Sequence, residues 1–256
     1  MDSRLEFAVN VAKLAGKNTL RYFRQDNFDV EEKSDETPVT IADRSTEILL
    51  RNEIEMAFPH DAILGEEFPS KEGSSGFRWI LDPIDGTKAF IHGVPLYGTL
   101  IGVEYEGKAI LGVIEIPAMD ERVYAKTGGG AWYVQGEKTP VRAQVSACSH
   151  LSESLILTSE EMTFYRTDRY ASWKRLIHHA KQARTWGDCY GYMLVATGRA
   201  EGMVDPAMSL WDAAALFPII QEAGGIFTDW QNVPTYTTGE AVVTNGRIHQ
   251  EVLAQL

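Results

Sequence analysis

Apolar and polar residues alternate with helical spacing at the start of the chain. Between residue 3 and about residue 25, apolar side chains such as Leu5, Ala8 and Ala12 recur every three or four positions, which predicts an amphipathic helix. A polar loop follows. The segment Thr40-Ile41-Ala42-Asp43 resembles a capping box, with Thr40 as the N-cap and Asp43 in the first turn, and predicts a second helix that ends near Pro59.

The middle of the chain has the pattern of a β-sheet. Short apolar runs at residues 62–65 and 79–82 end at acidic residues, and β-branched runs cover residues 97–105, 109–117, 121–126 and 131–134. Turn residues separate these runs, so residues 79–134 are predicted to form an antiparallel sheet. We interpret the glycines at 128–130 as a turn and not as a phosphate cradle, because no helix start with a phosphate-facing lysine follows them.

From about residue 150 the pattern changes to alternating helices and strands. Helices are predicted at residues 164–180, 189–198, 210–223 and 247–256, and strands at residues 155–157, 182–186, 201–205 and 242–245. Such alternation is typical of an α/β layer. The chain is therefore predicted to be an α+β protein with one domain, residues 1–256, in two lobes that meet near residue 145.

Composition narrows the classes of function. The 256 residues contain 24 Lys and Arg against 36 Asp and Glu, a net charge of −12, and no basic block that would favour nucleic acid or an anionic membrane. An acidic surface favours a substrate that carries some positive charge. Cys148 and Cys189 form no disulfide framework. With no signal peptide and no membrane-spanning run, the chain is expected to be cytoplasmic.

The candidate chemistry begins at the end of the predicted strand over residues 79–82. Asp82-Pro83-Ile84-Asp85-Gly86-Thr87 places two carboxylates around a stiff bend, since Pro83 restricts its own φ and the conformation of Asp82. Gly86 allows the backbone to approach a ligand. Hard cations such as Mg²⁺ prefer carboxylate oxygens together with substrate phosphate. The alternative is an ordinary turn, because Asp-Pro and Asp-Gly are common turn dipeptides.

Further acidic residues occur at element ends. Glu66 and Glu67 follow the predicted strand over residues 62–65, and Asp212 lies in the first turn of a helix for which Ser209 is a plausible N-cap. Each has a structural alternative: a solvated edge for the glutamates and a helix-dipole partner for Asp212. Asp43 is either a capping residue alone or the acceptor of a hydrogen bond from a catalytic hydroxyl.

Two of these segments resemble family signatures. Residues 82–87, Asp-Pro-Ile-Asp-Gly-Thr, resemble the signature of the inositol monophosphatase superfamily of Mg²⁺-dependent phosphatases, and residues 211–215, Trp-Asp-Ala-Ala-Ala, resemble its second signature. The resemblance implies a layered α-β-α-β-α sandwich, often found as a homodimer, that hydrolyses a small-molecule phosphate ester. It also implies two or three Mg²⁺ ions per site, with Mn²⁺ as a substitute.

The resemblance also assigns roles to individual residues. Its metal ligands are Glu66, Asp82, Asp85, Asp212 and the carbonyl of Ile84. Gly86 and Thr87 would hold the phosphate, and Thr87, paired with Asp43, would steer a metal-activated water that is also near Glu66. Glu67 and Lys33 would lie near the metals. Such two-metal sites stabilise both the attacking and the leaving oxygen.

Residues on the leaving-group side must determine the substrate specificity. Asp188 and Asp205 occupy positions where inositol enzymes have a small residue and a sugar-binding glutamate, and two carboxylates suit a cationic amino alcohol better than a neutral polyol. With residues 85–101, this resembles the histidinol-phosphate phosphatase branch, which acts in histidine biosynthesis. The alternative for Asp188 is an N-cap. Alternative substrates are inositol phosphate and sugar or nucleotide phosphates, for which Arg184 and Lys88 are the candidate basic residues, and a non-catalytic regulator is a further alternative.

Overall fold

The computed structural model describes residues 3–25, 30–32 and 38–256. Lys33, which we predicted to lie near the metals, falls outside the described residues. None of the helices in these ranges is long and apolar enough to cross a membrane.

Two helices cover one face of the first sheet. Helix α1 (Ser3–Leu20) buries small and aliphatic side chains such as Ala8 and Ala12, so that it lies close to its neighbours. Strands β1 (Val30–Glu32) and β2 (Pro38–Thr40) form an antiparallel pair, and helix α2 (Ile41–Ala57) follows. The predicted capping box is confirmed: the Thr40 hydroxyl accepts a hydrogen bond from the Ala42 amide, and the Asp43 carboxylate accepts one from the Thr40 amide.

The first sheet has seven strands within the described residues, in sequential order. They are β3 (Ala62–Gly65), β4 (Phe77–Asp85), β5 (Gly98–Tyr105), β6 (Lys108–Ile116), β7 (Glu121–Lys126), β8 (Gly130–Gln135) and β9 (Val141–Arg142). The strands from β4 onward are antiparallel, as predicted, whereas β3 pairs parallel with β4. Parallel pairing brings the carboxyl ends of β3 and β4 to the same edge, where Glu66 and Asp82 lie. A short helix, α3 (Thr87–Ile91), follows β4.

The second sheet is mixed and has five strands in the described part of the chain. Its strands are β10 (Leu155–Leu157), β11 (Gln182–Arg184), β12 (Gly202–Asp205), β13 (Ile226–Thr228) and β14 (Ala241–Thr244). Strand β10 pairs parallel with β11 and β12, and β14 pairs antiparallel with β12 and β13. The associated helices are α4 (Glu161–Arg166), α5 (Tyr170–His179), α6 (Asp188–Ala196), α7 (Leu210–Glu222) and α8 (His249–Leu253).

Buried clusters define five layers. One cluster joins α1 and α2 to the first sheet, for example through Leu50 and Trp79. A second cluster places α6 and α7 between the two sheets, with Met193 and Ala214 packed against residues of both. A third joins α4, α5 and α8 to the outer face of the second sheet. The predicted α-β-α-β-α sandwich is therefore confirmed, while the division into two lobes near residue 145 stays a prediction.

One predicted helix was wrong in extent, and one strand was missed. Residues 164–180 were predicted to be one helix, but α4 and α5 are separate because the chain turns at Asp168, which has φ 57°. Strand β13 was not predicted at all, since three residues give too little periodic signal. The glycine turn at 128–130 is confirmed, and the amides of Gly128 and Gly130 donate to the Glu222 carboxylate.

Candidate active site

A cleft of about 490 Å³ opens at the edge where the two sheets and the N-terminus of α7 meet. Most of the predicted site residues line it: Glu66, Asp82, Ile84, Asp85, Gly86, Thr87, Asp188 and Asp212. They come from the ends of β3 and β4 and from the first turns of α3, α6 and α7. Residues up to 146 positions apart in the sequence thus meet at one wall of the molecule.

Strand β4 brings the first two carboxylates into the cleft. Its pairing with β5 is interrupted between Asp82 and Asp85, where Pro83 cannot donate a ladder hydrogen bond. The Pro83 carbonyl instead accepts a hydrogen bond from the Thr99 hydroxyl at 2.8 Å. This irregularity turns Asp85 toward α6, and its carboxylate accepts a hydrogen bond from the Cys189 amide.

The third carboxylate comes from the start of α7. Asp212 forms a capping box with Ser209, whose amide donates to Asp212 at 2.7 Å. One carboxylate oxygen from each of Asp82, Asp85 and Asp212 lies within 4.8 Å of the others. Asp212 therefore caps the helix and joins the acidic cluster at the same time, so the structural and functional interpretations of this residue are both consistent with the geometry.

The electrostatics of the cluster fit a bound cation. Burial raises the pKa of Asp82 well above its usual range, and the charges of Glu66, Asp85 and Asp212 raise it further. Burial likewise raises the pKa of Asp212 to about 7, although the Ser209 amide opposes this. Among the described residues, Asp82 Oδ1 is buried without a hydrogen-bond partner. Buried carboxylates are normally paired or coordinate a metal, and this all-oxygen set suits a hard divalent ion. The cluster could therefore bind a metal.

A buried glutamate that the sequence analysis missed shapes the β3 end of the cleft. Glu47 on α2 is fully buried, receives the Arg51 guanidinium at 2.7 Å and accepts a hydrogen bond from the Glu67 amide at 2.7 Å. A Cβ at Gly65 would lie 2.0 Å from Glu47 Oε1. Glu47 thus holds the backbone next to Glu66. The i,i+4 spacing of Glu47 and Arg51 is typical of an exposed helical pair, so the local sequence gives no sign of burial.

The structure corrects the prediction that Thr87 is hydrogen-bonded to Asp43. Among the described residues no hydrogen bond joins them: the Thr87 hydroxyl donates to the Ile84 carbonyl at 3.0 Å. Asp43 Oδ2 accepts from the Thr40 amide at 2.8 Å and the Thr40 hydroxyl at 2.6 Å, while Oδ1 is buried without a partner. Capping geometry turns Asp43 toward its own helix start, and burial raises its pKa to about 6.

Gly86 adopts a backbone conformation that favours glycine. Its φ is 85°, and a Cβ would lie 2.9 Å from Asp188 Oδ2. Asp188 is itself a non-glycine residue with φ 53° in the first turn of α6, and Gly187 is the N-cap. Asp188 is therefore not the N-cap of α6. Burial, followed by the charges of Asp205 and Asp212, raises the pKa of Asp188 to about 7.

The leaving-group side differs from the prediction at two residues. Asp205 does not line the main cleft but a smaller cavity of about 100 Å³ behind it, and four hydrogen bonds occupy its carboxylate. Arg184 is exposed and does not line the cleft. Glu160, which was not predicted, does line the cleft and pairs with the Lys88 ammonium at 2.9 Å.

Comparisons with known proteins agree with this fold. In structure, the chain is similar to an extragenic suppressor protein SuhB from Bartonella henselae, with a TM-score of 0.91 and 28% identity over 99% of this chain and 98% of that one. In sequence, it is 44% identical to a histidinol-phosphatase of Chlorobaculum parvum over 100% of this chain and 97% of that protein. It is 36% identical to a histidinol-phosphatase of Streptomyces coelicolor, covering 98% and 96% of the two chains.

The layered fold and the carboxylate-lined cleft, together with these relatives, define a phosphatase that acts on phosphate monoesters. A family model described as the inositol monophosphatase family matches residues 1–256. The chain belongs to the inositol monophosphatase family.

Proposed function

We propose that this phosphatase hydrolyses L-histidinol phosphate to L-histidinol and phosphate, with Mg²⁺ as its metal. The acidic cleft supports this proposal most strongly. At its leaving-group end, Asp188 and Glu160 line the cleft. The Glu160 carboxylate already pairs with Lys88 at 2.9 Å and with Arg166 at 3.6 Å. An ammonium or imidazolium group on the leaving alcohol would compensate the carboxylate of Asp188, whereas a neutral polyol would not. The names of the two histidinol-phosphatase relatives support the same substrate.

In this proposal two or three Mg²⁺ ions would be held by Glu66, Asp82, Asp85 and Asp212, with the Ile84 carbonyl as an additional ligand. When bound, Mg²⁺ would supply charge neutralisation for the phosphate and a water of lowered pKa. The carboxylates bind the ion and do not act as covalent nucleophiles. Mn²⁺ is expected to substitute, because it prefers the same oxygen ligands.

The residues around Gly86 would hold the phosphate. Gly86 and Thr87 begin α3, and the left-handed backbone of Gly86 leaves room for an ester beside Asp188. The Thr87 hydroxyl donates to the Ile84 carbonyl. It can also accept a hydrogen bond from a water, or rotate so that it donates to another acceptor. Asp43 keeps an unpaired oxygen near Glu66 and Glu67, whose charges raise its pKa after burial does. These residues would orient the attacking water rather than supply the nucleophile.

A phosphate-release screen tests the proposal. Purified protein is assayed with L-histidinol phosphate, inositol 1-phosphate, fructose 1,6-bisphosphate and 3′-phosphoadenosine 5′-phosphate, with Mg²⁺, with Mn²⁺ and with EDTA. We expect kcat/KM to be highest for L-histidinol phosphate and activity to vanish in EDTA. A preference for inositol 1-phosphate would contradict the substrate, and activity that survives EDTA would contradict the metal. The homodimer and the cytoplasmic location stay predictions.

A further inference from the structure

Asp205 is a buried carboxylate with every acceptor position in use. It ends strand β12, is 4% exposed, and each of its oxygens accepts two hydrogen bonds. Oδ1 accepts from the Thr158 hydroxyl at 2.9 Å and the Ser159 amide at 2.8 Å. Oδ2 accepts from the Ser159 hydroxyl at 2.9 Å and the Tyr192 hydroxyl at 2.7 Å. A carboxylate offers about four lone-pair positions, so none is left for a substrate.

The hydrogen bonds of Asp205 point toward one segment. Three of its four donors belong to Thr158 and Ser159, directly after strand β10. The Ser159 hydroxyl that donates to Asp205 also accepts a hydrogen bond from the Asp188 amide at 3.0 Å. A Cβ at Gly187 would lie 2.2 Å from the Ser159 Cα, so the start of α6 is in close contact with this segment. Asp205, Ser159 and the Asp188 backbone therefore form one continuous chain of contacts.

Both carboxylates of the leaving-group end depend on this chain. Asp188 has a left-handed backbone, φ 53°, which is uncommon for a non-glycine residue, and hydrogen-bond contacts stabilise it. Those contacts are the bond of its amide to Ser159 and the bond of the next amide, that of Cys189, to Asp85. Glu160 follows Ser159 directly and faces the same cleft.

We propose that Asp205 is a positioning residue for leaving-group recognition: through Ser159 it fixes Asp188 and Glu160, and it does not touch the substrate itself. The proposal rests on the proposed function, because it explains how the cleft would hold a cationic leaving group. It assigns to Asp205 a role through the protein, where the sequence analysis expected direct contact with the substrate.

The test compares two esters in three single variants, Asp205→Asn, Ser159→Ala and Tyr192→Phe. It also includes the double variant that combines Asp205→Asn with Ser159→Ala. Asp205→Asn replaces one acceptor oxygen by a donor, Ser159→Ala removes the linking hydroxyl, and Tyr192→Phe removes a donor that does not lead to the cleft. L-Histidinol phosphate carries the cationic group, and para-nitrophenyl phosphate lacks it. Thermal unfolding with added Mg²⁺ is measured for each variant to show that the protein is folded and still binds the metal.

We expect Asp205→Asn and Ser159→Ala each to lower kcat/KM for L-histidinol phosphate by about tenfold or more, mainly through KM, as for loss of a hydrogen bond to a charged group. Activity on para-nitrophenyl phosphate should change less than about threefold, and Tyr192→Phe should keep the preference between the esters. The effects of residues that act as one unit are not additive. The kcat/KM of the double variant for L-histidinol phosphate should therefore be no lower than that of the less active single variant. Losses that multiply in the double variant, or an unchanged preference in Ser159→Ala, would overturn the proposal.

Failure of the proposed function would be visible separately. If the unmodified protein does not hydrolyse L-histidinol phosphate, that function is wrong, and the same variants are compared on the best ester from the screen against para-nitrophenyl phosphate. A preference lost in Asp205→Asn and Ser159→Ala would retain the positioning role. If Asp205→Asn does not fold, Ser159→Ala decides, because it leaves the buried carboxylate in place.

Discussion

Replacement of Asp82 by Asn should stabilise the protein without metal and destabilise it relative to the unmodified protein with metal. Asp82 is 2% exposed, and its carboxylate lies within 4.8 Å of the oxygens of Asp85 and Asp212. At an effective dielectric constant of ~20, two unit charges at this distance repel by about 3 kcal/mol. Partial protonation and the cost of a buried amide, about 1–3 kcal/mol, reduce the gain, so we expect about 1–2 kcal/mol.

The assay is thermal unfolding at pH 8, where the carboxylates are most fully ionised, in EDTA and in excess Mg²⁺. A gain of about 1–2 kcal/mol raises Tm by ~2–8 °C in a chain of this length. In Mg²⁺ at about 100 times its Kd, the unmodified protein gains ~2.7 kcal/mol, a gain that the variant should lose. Asp168→Asn is the matched control, since Asp168 is exposed and far in sequence from every residue of the cluster. It should change neither Tm.

Turnover of the Asp82→Asn variant should be abolished while the fold is retained. A Tm that falls in EDTA would show that the carboxylates are not in mutual repulsion. An equal gain from Mg²⁺ in variant and unmodified protein would show that the metal binds elsewhere. Either result would refute the reasoning that connects the buried cluster to a metal.

Three further predictions address Gly86, the packing of α7 and a buried histidine, His249. Gly86→Ala should lower the free energy of unfolding by ~1–2 kcal/mol because of the positive φ. It should also lower kcat/KM by over tenfold, because the new Cβ would contact Asp188. The control Gly107→Ala, with φ 76° and no atom within 4 Å of the new Cβ, should lower stability alone. Gly112→Ala places a Cβ 1.9 Å from the Ala215 carbonyl oxygen and should lower the denaturant midpoint by an amount equivalent to ~3 kcal/mol. Burial lowers the pKa of His249 to about 4; the unfolded state therefore takes up a proton first, and stability should fall between pH 6.5 and 4 by at most about 1.4 kcal/mol per pH unit. His249→Asn should remove this slope, and an unchanged difference between the two proteins across that range would contradict it.

The hydrogen bonds of His249 support its neutral state. The Thr228 hydroxyl donates to the Asp229 carbonyl and so accepts from Nε2, at 3.1 Å. With Nε2 as the donor, Nδ1 of the neutral ring is an acceptor, and the Thr244 hydroxyl donates to it at 3.0 Å. Protonation of Nδ1 would oppose a donor to a donor in a buried site.

Much of the fold and the acidic cluster could be predicted from sequence because the signals were local. Capping residues such as Thr40 and Ser209 mark helix starts within four positions. Apolar runs mark strands β3 and β4, which lead to Glu66 and Asp82. Family signatures then identified which of the acidic residues belong together. Neither kind of signal needs knowledge of the tertiary structure.

The failures occurred where long-range contacts decide the role of a side chain. Asp205 was expected to face the substrate, but Thr158, Ser159 and Tyr192 enclose it. Glu160 has no motif, and its place in the cleft follows from where β10 ends in the second sheet. A hydrogen bond between residues 46 or 47 positions apart leaves no periodic pattern in the sequence.

The residues with both a structural and a functional interpretation explain why stability alone cannot identify this site. Asp43 and Asp212 each complete the capping box of a helix. Asp212 also lines the cleft, and burial, together with the charges of Glu67 and Glu66, raises the pKa of Asp43. Loss of a cap costs ~1 kcal/mol whether or not a metal binds, and removal of a crowded charge returns a similar amount. The two terms cancel in Asp212→Asn, so its stability in EDTA carries little information. The dependence of its stability on Mg²⁺ is informative, because a helix cap contributes equally with and without the ion.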